Sequence, residues 1–200
     1  MSKKYGILRF VLLCAATLGI CISSCIASPS MDGMTSAPTF TLSDTNGKSV
    51  SFADYVGKMV VLEWTNPDCP FVKRHYKSGT MKRLAEKFAA QGVVWLAVSS
   101  THFHDTDKLS TWANAQALPY PVLVDQDGKV GKQFGALTTP HMFVINKDGK
   151  IAYSGAIDND SGGDLETPVN YVEQALTSLI ASKPVETTQT KSYGCSVKYS

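Results

Sequence analysis

The stretch Glu63-Trp64-Thr65-Asn66-Pro67-Asp68-Cys69-Pro70-Phe71-Val72-Lys73 places one cysteine at a predicted junction between a strand and a helix. The apolar run at 59–62 predicts a buried strand before it, and a stretch with helical periodicity follows it. The first turn of a helix offers unpaired backbone N–H groups and the positive end of the helix dipole, and both stabilise a thiolate. Because the thiolate is the nucleophilic form of cysteine, this placement indicates redox chemistry at Cys69.

Residues 1–27 have the order of regions that is typical of a secretory signal peptide. Lys3, Lys4 and Arg9 precede the apolar run 10–22, and small residues follow as far as Ala27. The apolar run is too short to span a bilayer. We therefore expect export, with cleavage after Ala27 and the bacterial periplasm as the destination. The segment 22–25 also fits a lipoprotein signal, in which an acylated Cys25 anchors the protein to a membrane.

The basic charge of the chain belongs to this N-terminal segment. The 19 lysines and arginines and 17 acidic residues give a formal charge of +2. Removing 1–27 takes away three basic residues and no acidic one, so the charge falls from +2 to −1. A nearly neutral chain without a basic run has no feature that favours nucleic-acid binding.

The cysteine count leaves one possible pair in a processed, soluble protein. Of the five cysteines, three lie within residues 1–27, so Cys69 and Cys195 remain. Two cysteines in an oxidising compartment favour a disulfide. A domain of this length can be stable without one, which gives some weight to a working rather than a structural bond.

Predicted strands and helices alternate along residues 37–182, between a small polar lead-in at 28–36 and a polar tail at 183–200. Asn46-Gly47 is a strong turn signal for a hairpin between strands near 39–42 and 50–52. The other predicted strands are at 60–65, 93–98, 122–124, 142–145 and 151–153. Helices are predicted at 71–91, with a break near Ser78-Gly79, and at 107–117 and 130–134. The last predicted helix begins at the N-cap Thr167, has Pro168 in its first position and ends before Pro184. This order predicts an α/β sandwich with a mixed sheet.

Three segments together resemble the thioredoxin-like superfamily, on its peroxiredoxin-like side (the alkyl hydroperoxide reductase/thiol-specific antioxidant family). They are Cys69-Pro70-Phe71-Val72-Lys73, Thr138-Thr139-Pro140 and the Asp148-Gly149 turn. The resemblance covers residues 37–182 and implies a three-layer α/β/α sandwich. It also implies a cis-proline at Pro140 that faces Cys69, with Thr139, Pro70 and His141 lining the substrate site.

Two departures from the family pattern affect the expected chemistry. Thioredoxins carry a second cysteine three residues after the first, where this chain has Val72. Peroxiredoxins carry a threonine and a proline where this chain has Asn66 and Leu62. Neither mechanism can therefore be transferred whole, and peroxide reduction is at most a weak additional activity.

The proposed catalytic residues are Cys69, Cys195, Pro140 and Glu63. We expect Cys69 to be the nucleophile and Cys195, on a mobile tail, to replace the thiol missing at Val72; the alternative is a permanent disulfide between the two cysteines. By resemblance, Glu63 relays a proton to the resolving thiol. The alternative is a glutamate at a strand edge that reaches solvent.

The histidines allow other interpretations. His141 follows Pro140 and points either toward Cys69, as a base, or away from it. His102 and His104 form a His-x-His pattern, but loop histidines are more often exposed than metal-bound.

We expect an exported thiol–disulfide oxidoreductase that needs no organic cofactor. Its partners would be a protein or small-molecule disulfide, or a peroxide, and a separate thiol reductant. A second hypothesis is a copper-binding chaperone that uses Cys69, His75 and His141 as ligands. A third is a binding module in which the Cys69–Cys195 bond is structural.

Overall fold

The computed structural model describes Met1 and residues 34–200. The predicted signal peptide, its cleavage after Ala27 and the lipid anchor at Cys25 lie outside the described residues. Within the described part of the chain, no helix is long and apolar enough to cross a membrane.

The centre of the fold is a seven-stranded mixed sheet with the order β2-β1-β5-β4-β3-β7-β8. The β3–β4 and β4–β5 pairs are parallel, and the other pairs are antiparallel. A second pairing joins the two-residue strands β6 and β9. The strands are β1 (Thr41–Asp44), β2 (Ser49–Ser51), β3 (Val60–Trp64), β4 (Val94–Ser99), β5 (Val122–Val124), β6 (Thr138–Thr139), β7 (His141–Ile145), β8 (Ile151–Gly155) and β9 (Cys195–Ser196).

Helices cover both faces of the sheet and make three layers. The helices are α1 (Pro70–Lys77), α2 (Thr80–Ala89), α3 (Thr106–Ala115), α4 (Lys129–Phe134) and α5 (Tyr171–Ile180). The apolar side chains of α2, α3 and α5 pack with Val61 and Trp95 on one face. Helix α4 packs with Leu62 and Trp64 on the other face. Side chains on β3 therefore alternate between two cores, and the predicted α/β sandwich with a mixed sheet is confirmed.

The helix breaks follow local backbone chemistry. The predicted break at Ser78-Gly79 is confirmed, because α1 ends at Lys77 and Gly79 adopts φ +70° before α2 begins. The prediction that the last helix starts at Thr167 is wrong. Asn170 is the N-cap, and its side chain accepts a hydrogen bond from the Glu173 N–H at 2.9 Å.

The C-terminal tail lies against the domain, although its polar composition predicts a mobile arm. Thr190 N–H donates to the Ser154 carbonyl at 3.1 Å, so the tail runs beside the edge strand β8. Val197 is buried, and its N–H donates to the Leu137 carbonyl at 3.0 Å. The Tyr199 hydroxyl donates to the Ala136 carbonyl at 2.8 Å. Backbone hydrogen bonds and two apolar anchors thus position the segment that contains Cys195.

Candidate active site

Cys69 lies at the N-cap of α1, directly after the turn that leaves β3. Its backbone N–H donates to the Asn66 carbonyl at 3.0 Å, and the Asn66 side chain accepts from the Asp68 N–H at 2.8 Å. Pro70 occupies the first helical position, where a missing N–H has no consequence. The sequence thus folds into a tight turn that holds the thiol over the open end of the helix.

A carbonyl from a distant strand meets the Cys69 thiol. Cys69 Sγ donates to the Thr139 carbonyl oxygen at 2.9 Å. The next peptide bond, Thr139–Pro140, is cis. Pro140 therefore stands beside the cysteine, and Cys69 itself is only 2% exposed.

Cys195 completes this group. The register of β6 and β9 pairs Thr139 with Cys195, so both residues lie next to the Cys69 thiol. The thiol and the backbone N–H of Cys195 both lie close enough to Cys69 Sγ to favour its thiolate. Both cysteines are free thiols in this structure.

The two thiols have opposite pKa shifts. Burial raises the pKa of Cys69, but the Cys195 thiol, the N–H groups of Val72 and Cys195 and the Thr139 side chain together lower it below its usual value. Burial, the hydrogen bond to Cys69 and the charge of Cys69 raise the pKa of Cys195 to about 11, against a weaker effect of Lys198. Cys69 is therefore the thiol that ionises first, while Cys195 keeps its proton.

Glu63 is fully buried, so the alternative of a strand-edge glutamate that reaches solvent is wrong. Its carboxyl accepts hydrogen bonds from the Tyr76 hydroxyl at 2.7 Å and the Trp95 indole N–H at 3.0 Å. Burial raises the pKa of Glu63 to about 7; the hydrogen bonds from Tyr76 and Trp95 oppose the shift, as do the nearby hydroxyl groups of Thr65 and Tyr120.

His141 is turned away from Cys69. Its Nδ1 accepts a hydrogen bond from the Leu137 N–H at 3.1 Å, and its ring packs 4.5 Å from that of Phe143, centroid to centroid. Burial lowers the pKa of His141 to about 4, so the ring is neutral at ordinary pH. The interpretation of His141 as a base beside the thiol is therefore not supported by its contacts.

Among the other expected substrate contacts, Thr139 is buried against the two cysteines and Pro70 is exposed.

Sequence reasoning missed a clamp around Tyr193, two residues before Cys195. His75 Nε2 lies 2.9 Å from the Tyr193 hydroxyl, which donates in turn to Asp158. The Arg74 guanidinium lies 5.7 Å from the centre of the tyrosine ring, and Phe71 packs against the same ring. These contacts join α1, the loop after β8 and the tail, and no local pattern in the sequence predicts them.

Asp68 and His104 form a second unpredicted pair beside Cys69. Asp68 Oδ2 lies 2.8 Å from His104 Nε2 and 2.6 Å from Lys108 Nζ. The hydrogen bond from Lys108 has the largest effect on Asp68 and lowers its pKa; burial opposes this shift, and the hydrogen bond from His104 adds to it. His104 is buried, which corrects the expectation of an exposed loop histidine.

The ligands expected for copper are separated. Cys69 contacts Thr139 and Cys195, His75 contacts Tyr193, and His141 contacts the Leu137 N–H. Among the described residues, no three or more histidine, cysteine or acidic side chains are placed to hold one metal ion.

Comparison with known proteins identifies the family of the chain. The model of the AhpC/TSA family matches residues 34–154. The chain belongs to this family. The thiol-disulfide oxidoreductase ResA of Bacillus subtilis is 30% identical over 74% of this chain and 80% of its own length. For ResA of Bacillus thuringiensis subsp. konkukian the identity is 29%, over 58% of this chain and 64% of that protein, so the chain spans less than two thirds of this relative.

Solved structures agree with the fold. An uncharacterized conserved protein from Geobacillus kaustophilus is 27% identical, with a TM-score of 0.76 over 84% of this chain and 92% of its own. The thioredoxin domain of a thiol-disulfide oxidoreductase from Bacteroides vulgatus is 21% identical, with a TM-score of 0.51 over 58% of this chain and 83% of its own. The fold is therefore thioredoxin-like.

Gly194 tests how the tail covers Cys69. A Cβ at this position, where φ is +132°, would lie 2.1 Å from the Thr139 carbonyl oxygen. We expect Gly194→Ala to displace β9 from β6 and to speed alkylation of Cys69 in the reduced protein, followed by mass mapping. Gly92→Ala is the matched control, because Gly92 also has positive φ (+76°) but open space around its Cβ. Equal alkylation rates in the two variants would show that β9 does not limit access.

Glu63 predicts a specific pH dependence of stability. Between its ordinary value of 4.5 and about 7, the folded chain holds the Glu63 proton while the unfolded chain releases it. The stability of the wild type therefore falls as pH rises through this window. Glu63→Gln removes this pH dependence. The free energy of unfolding of the variant, minus that of the wild type, should therefore rise by about 3 kcal/mol from about pH 4 to about pH 8. Denaturant titrations across the range measure it, and a constant difference between the two proteins would contradict the buried, protonated carboxyl.

Proposed function

We propose that this chain is an exported thiol–disulfide oxidoreductase in which Cys69 is the nucleophile and Cys195 is the resolving cysteine. One observation carries the proposal: two free thiols lie side by side at Thr139, one with a lowered and one with a raised pKa. A pair of this kind favours attack by one thiol while the other waits in its protonated form. The names of the ResA relatives support the same class of reaction.

The reaction has two exchange steps. The Cys69 thiolate attacks one sulfur of a substrate disulfide, and the substrate's other sulfur leaves as a thiolate that takes up a proton. Cys195 then loses its proton and attacks Cys69 Sγ, which breaks the mixed disulfide and releases the first sulfur as a thiol. The substrate gains two electrons, and the Cys69–Cys195 bond stores the oxidation until a separate thiol reductant reopens it.

The surrounding residues have positioning roles in this proposal. The Thr139 carbonyl and Pro140 hold the thiol in place from the segment that leads into β7, and Pro70 starts the helix that stabilises its charge. Glu63 is a buried proton reservoir whose pKa of about 7 allows it to hold or release a proton near neutral pH. Since the tail covers Cys69, the substrate gains access when the segment around Cys195 moves.

Peroxide reduction is a weaker candidate. Peroxide attack at Cys69 would give a sulfenic acid and water or an alcohol, and Cys195 could condense with the sulfenic acid to the same disulfide, with loss of water. The Asn66 side-chain oxygen already accepts a hydrogen bond from the Asp68 N–H within the turn, which does not favour a peroxide site there.

The location of the protein and its class of partner also belong to this proposal. The N-terminal segment supports export to the periplasm, with anchoring through Cys25 as the alternative. The near-neutral charge of the chain without residues 1–27 gives no reason to expect nucleic acid as a partner.

The division of labour between the cysteines is tested by two serine variants. Cys195→Ser should trap substrates on Cys69, so that mixed disulfides rise toward one per chain and turnover is lost, because no thiol remains to release them. Cys69→Ser should form no mixed disulfide at all. Mass spectrometry after incubation with a disulfide substrate counts the adducts. Unchanged turnover in Cys195→Ser would remove Cys195 from the mechanism, and adducts on Cys195 in Cys69→Ser would reverse the roles.

A further inference from the structure

Four buried polar atoms at one end of the sheet have no hydrogen-bond partner among the described protein atoms. They are Thr65 Oγ1, Ser99 Oγ, Thr101 Oγ1 and His104 Nδ1. Their residues are each at most 1% exposed. Native proteins pair almost all buried polar atoms with protein or with ordered water. Four unpaired atoms in one region therefore indicate a polar site that the protein alone does not complete.

The strand register brings three of these atoms to one face of the sheet. Trp64 pairs with Val98, and the Thr65 N–H donates to the Val98 carbonyl at 2.9 Å, so Thr65 lies beside Ser99. By strand alternation, both point to the same face as Glu63. Ser100 Oγ accepts a hydrogen bond from the Trp64 indole N–H on the opposite face. Since side chains alternate along the chain, Thr101 points to the same face as Thr65 and Ser99.

The site is closed by His104 and reaches the surface through Asp68. The His104 N–H donates to the Thr101 carbonyl at 3.0 Å and turns the chain back over the strand ends. With His104 Nε2–H donating to Asp68 Oδ2 at 2.8 Å, Nδ1 remains as an acceptor on the buried side. The Asp68 side chain is half exposed and precedes Cys69.

The other end of the site is Glu63. Thr65 Oγ1 lies close enough to the Glu63 carboxyl to favour its charged form, yet makes no well-formed hydrogen bond. The groups that face Glu63 are Tyr76 from α1, Trp95 from β4, Tyr120 from the loop before β5, and Thr65. Asp68 faces His104, and Lys108 shares that carboxylate.

We propose that ordered water fills a chamber between Thr65, Ser99, Thr101 and His104 and connects Glu63 to the surface beside Cys69. A proton that leaves the Glu63 carboxyl passes through water to His104 Nδ1, while His104 Nε2 releases its proton toward Asp68 and solvent. No electron moves, and the imidazole returns to its starting tautomer when it rotates or exchanges with water. Hydroxyl groups, water and imidazole all both donate and accept, which this route requires.

The existence of the chamber does not depend on the proposed function, but its use in thiol exchange does. Each exchange step releases or takes up protons at a thiol that is shielded from solvent. The chamber gives Glu63 a route by which to equilibrate between steps while β9 covers Cys69.

The first test measures the pKa of Glu63 through the NMR signal of Trp95. The Trp95 indole N–H donates to Glu63, so its proton NMR signal follows the ionisation of the carboxyl. Removing two chamber hydroxyls with Ser99→Ala and Thr101→Val should displace the water and raise the apparent pKa of Glu63 by about one unit, since the lost hydrogen bonds favour the charged form. Thr111→Val, at an exposed threonine of α3, is the matched control and should leave the midpoint unchanged. An unchanged midpoint in the double variant would overturn the proposal.

The second test needs no substitution. A high-resolution crystal structure of the full chain should show water within hydrogen-bonding distance of at least three of the four atoms. A dry chamber would overturn the proposal even if the double variant failed to fold.

The third test concerns the route itself. Below pH 7 the Glu63 carboxyl is protonated, and its infrared band shifts when the proton exchanges for deuterium. His104→Leu should slow this exchange by roughly tenfold or more, because local opening of the fold is then the remaining path for the proton. Lys108→Met, which removes the other partner of Asp68 and keeps the imidazole, should not slow it. Equal rates in the two variants would exclude His104 from the route. Trapping by Cys195→Ser together with a dry chamber would leave the proposed function standing and remove only this inference.

Discussion

The hydrogen bond from Cys69 to the Thr139 carbonyl is the contact on which the arrangement of the site depends. It joins the start of α1 to β6, the short strand that precedes β7. Because β9 pairs with Thr138 and Thr139, the same strand also sets where Cys195 lies. Three segments that are far apart in sequence thus meet at one sulfur atom, and each supplies it with a different group: helix N–H donors, a carbonyl acceptor and a second thiol.

Charge stabilisation at this sulfur explains the different chemistry of the two thiols. Burial alone would raise the pKa of both cysteines, since it disfavours any thiolate. Cys69 overcomes this effect because several donors converge on it, whereas Cys195 has only Lys198 to oppose it. The asymmetry therefore comes from hydrogen-bond geometry and not from depth. Asp68, next to the thiol, has its negative charge balanced by Lys108 and His104.

Local patterns in the sequence predict the α/β sandwich, the break between α1 and α2 and the position of Cys69 at a helix start. They fail where long-range pairing decides the structure. Central parallel strands are buried on both faces, so alternation along β3 could not show that Glu63 is buried. His141 had two possible faces, and the outcome depends on the Leu137 N–H and Phe143. The tail has no periodicity, and its position depends on a two-residue pairing and the Tyr193 clamp.

The central claim is that Cys69 and Cys195 form an exchange-active pair, and their redox potential tests it most directly. A titration of the purified protein with glutathione, followed by thiol alkylation and mass mapping, reports both the bond and its potential. The account predicts a reversible Cys69–Cys195 bond at about −150 to −270 mV, in the range of exchange-active proteins. A bond below about −300 mV would be structural, and two thiols that never pair would contradict the account altogether.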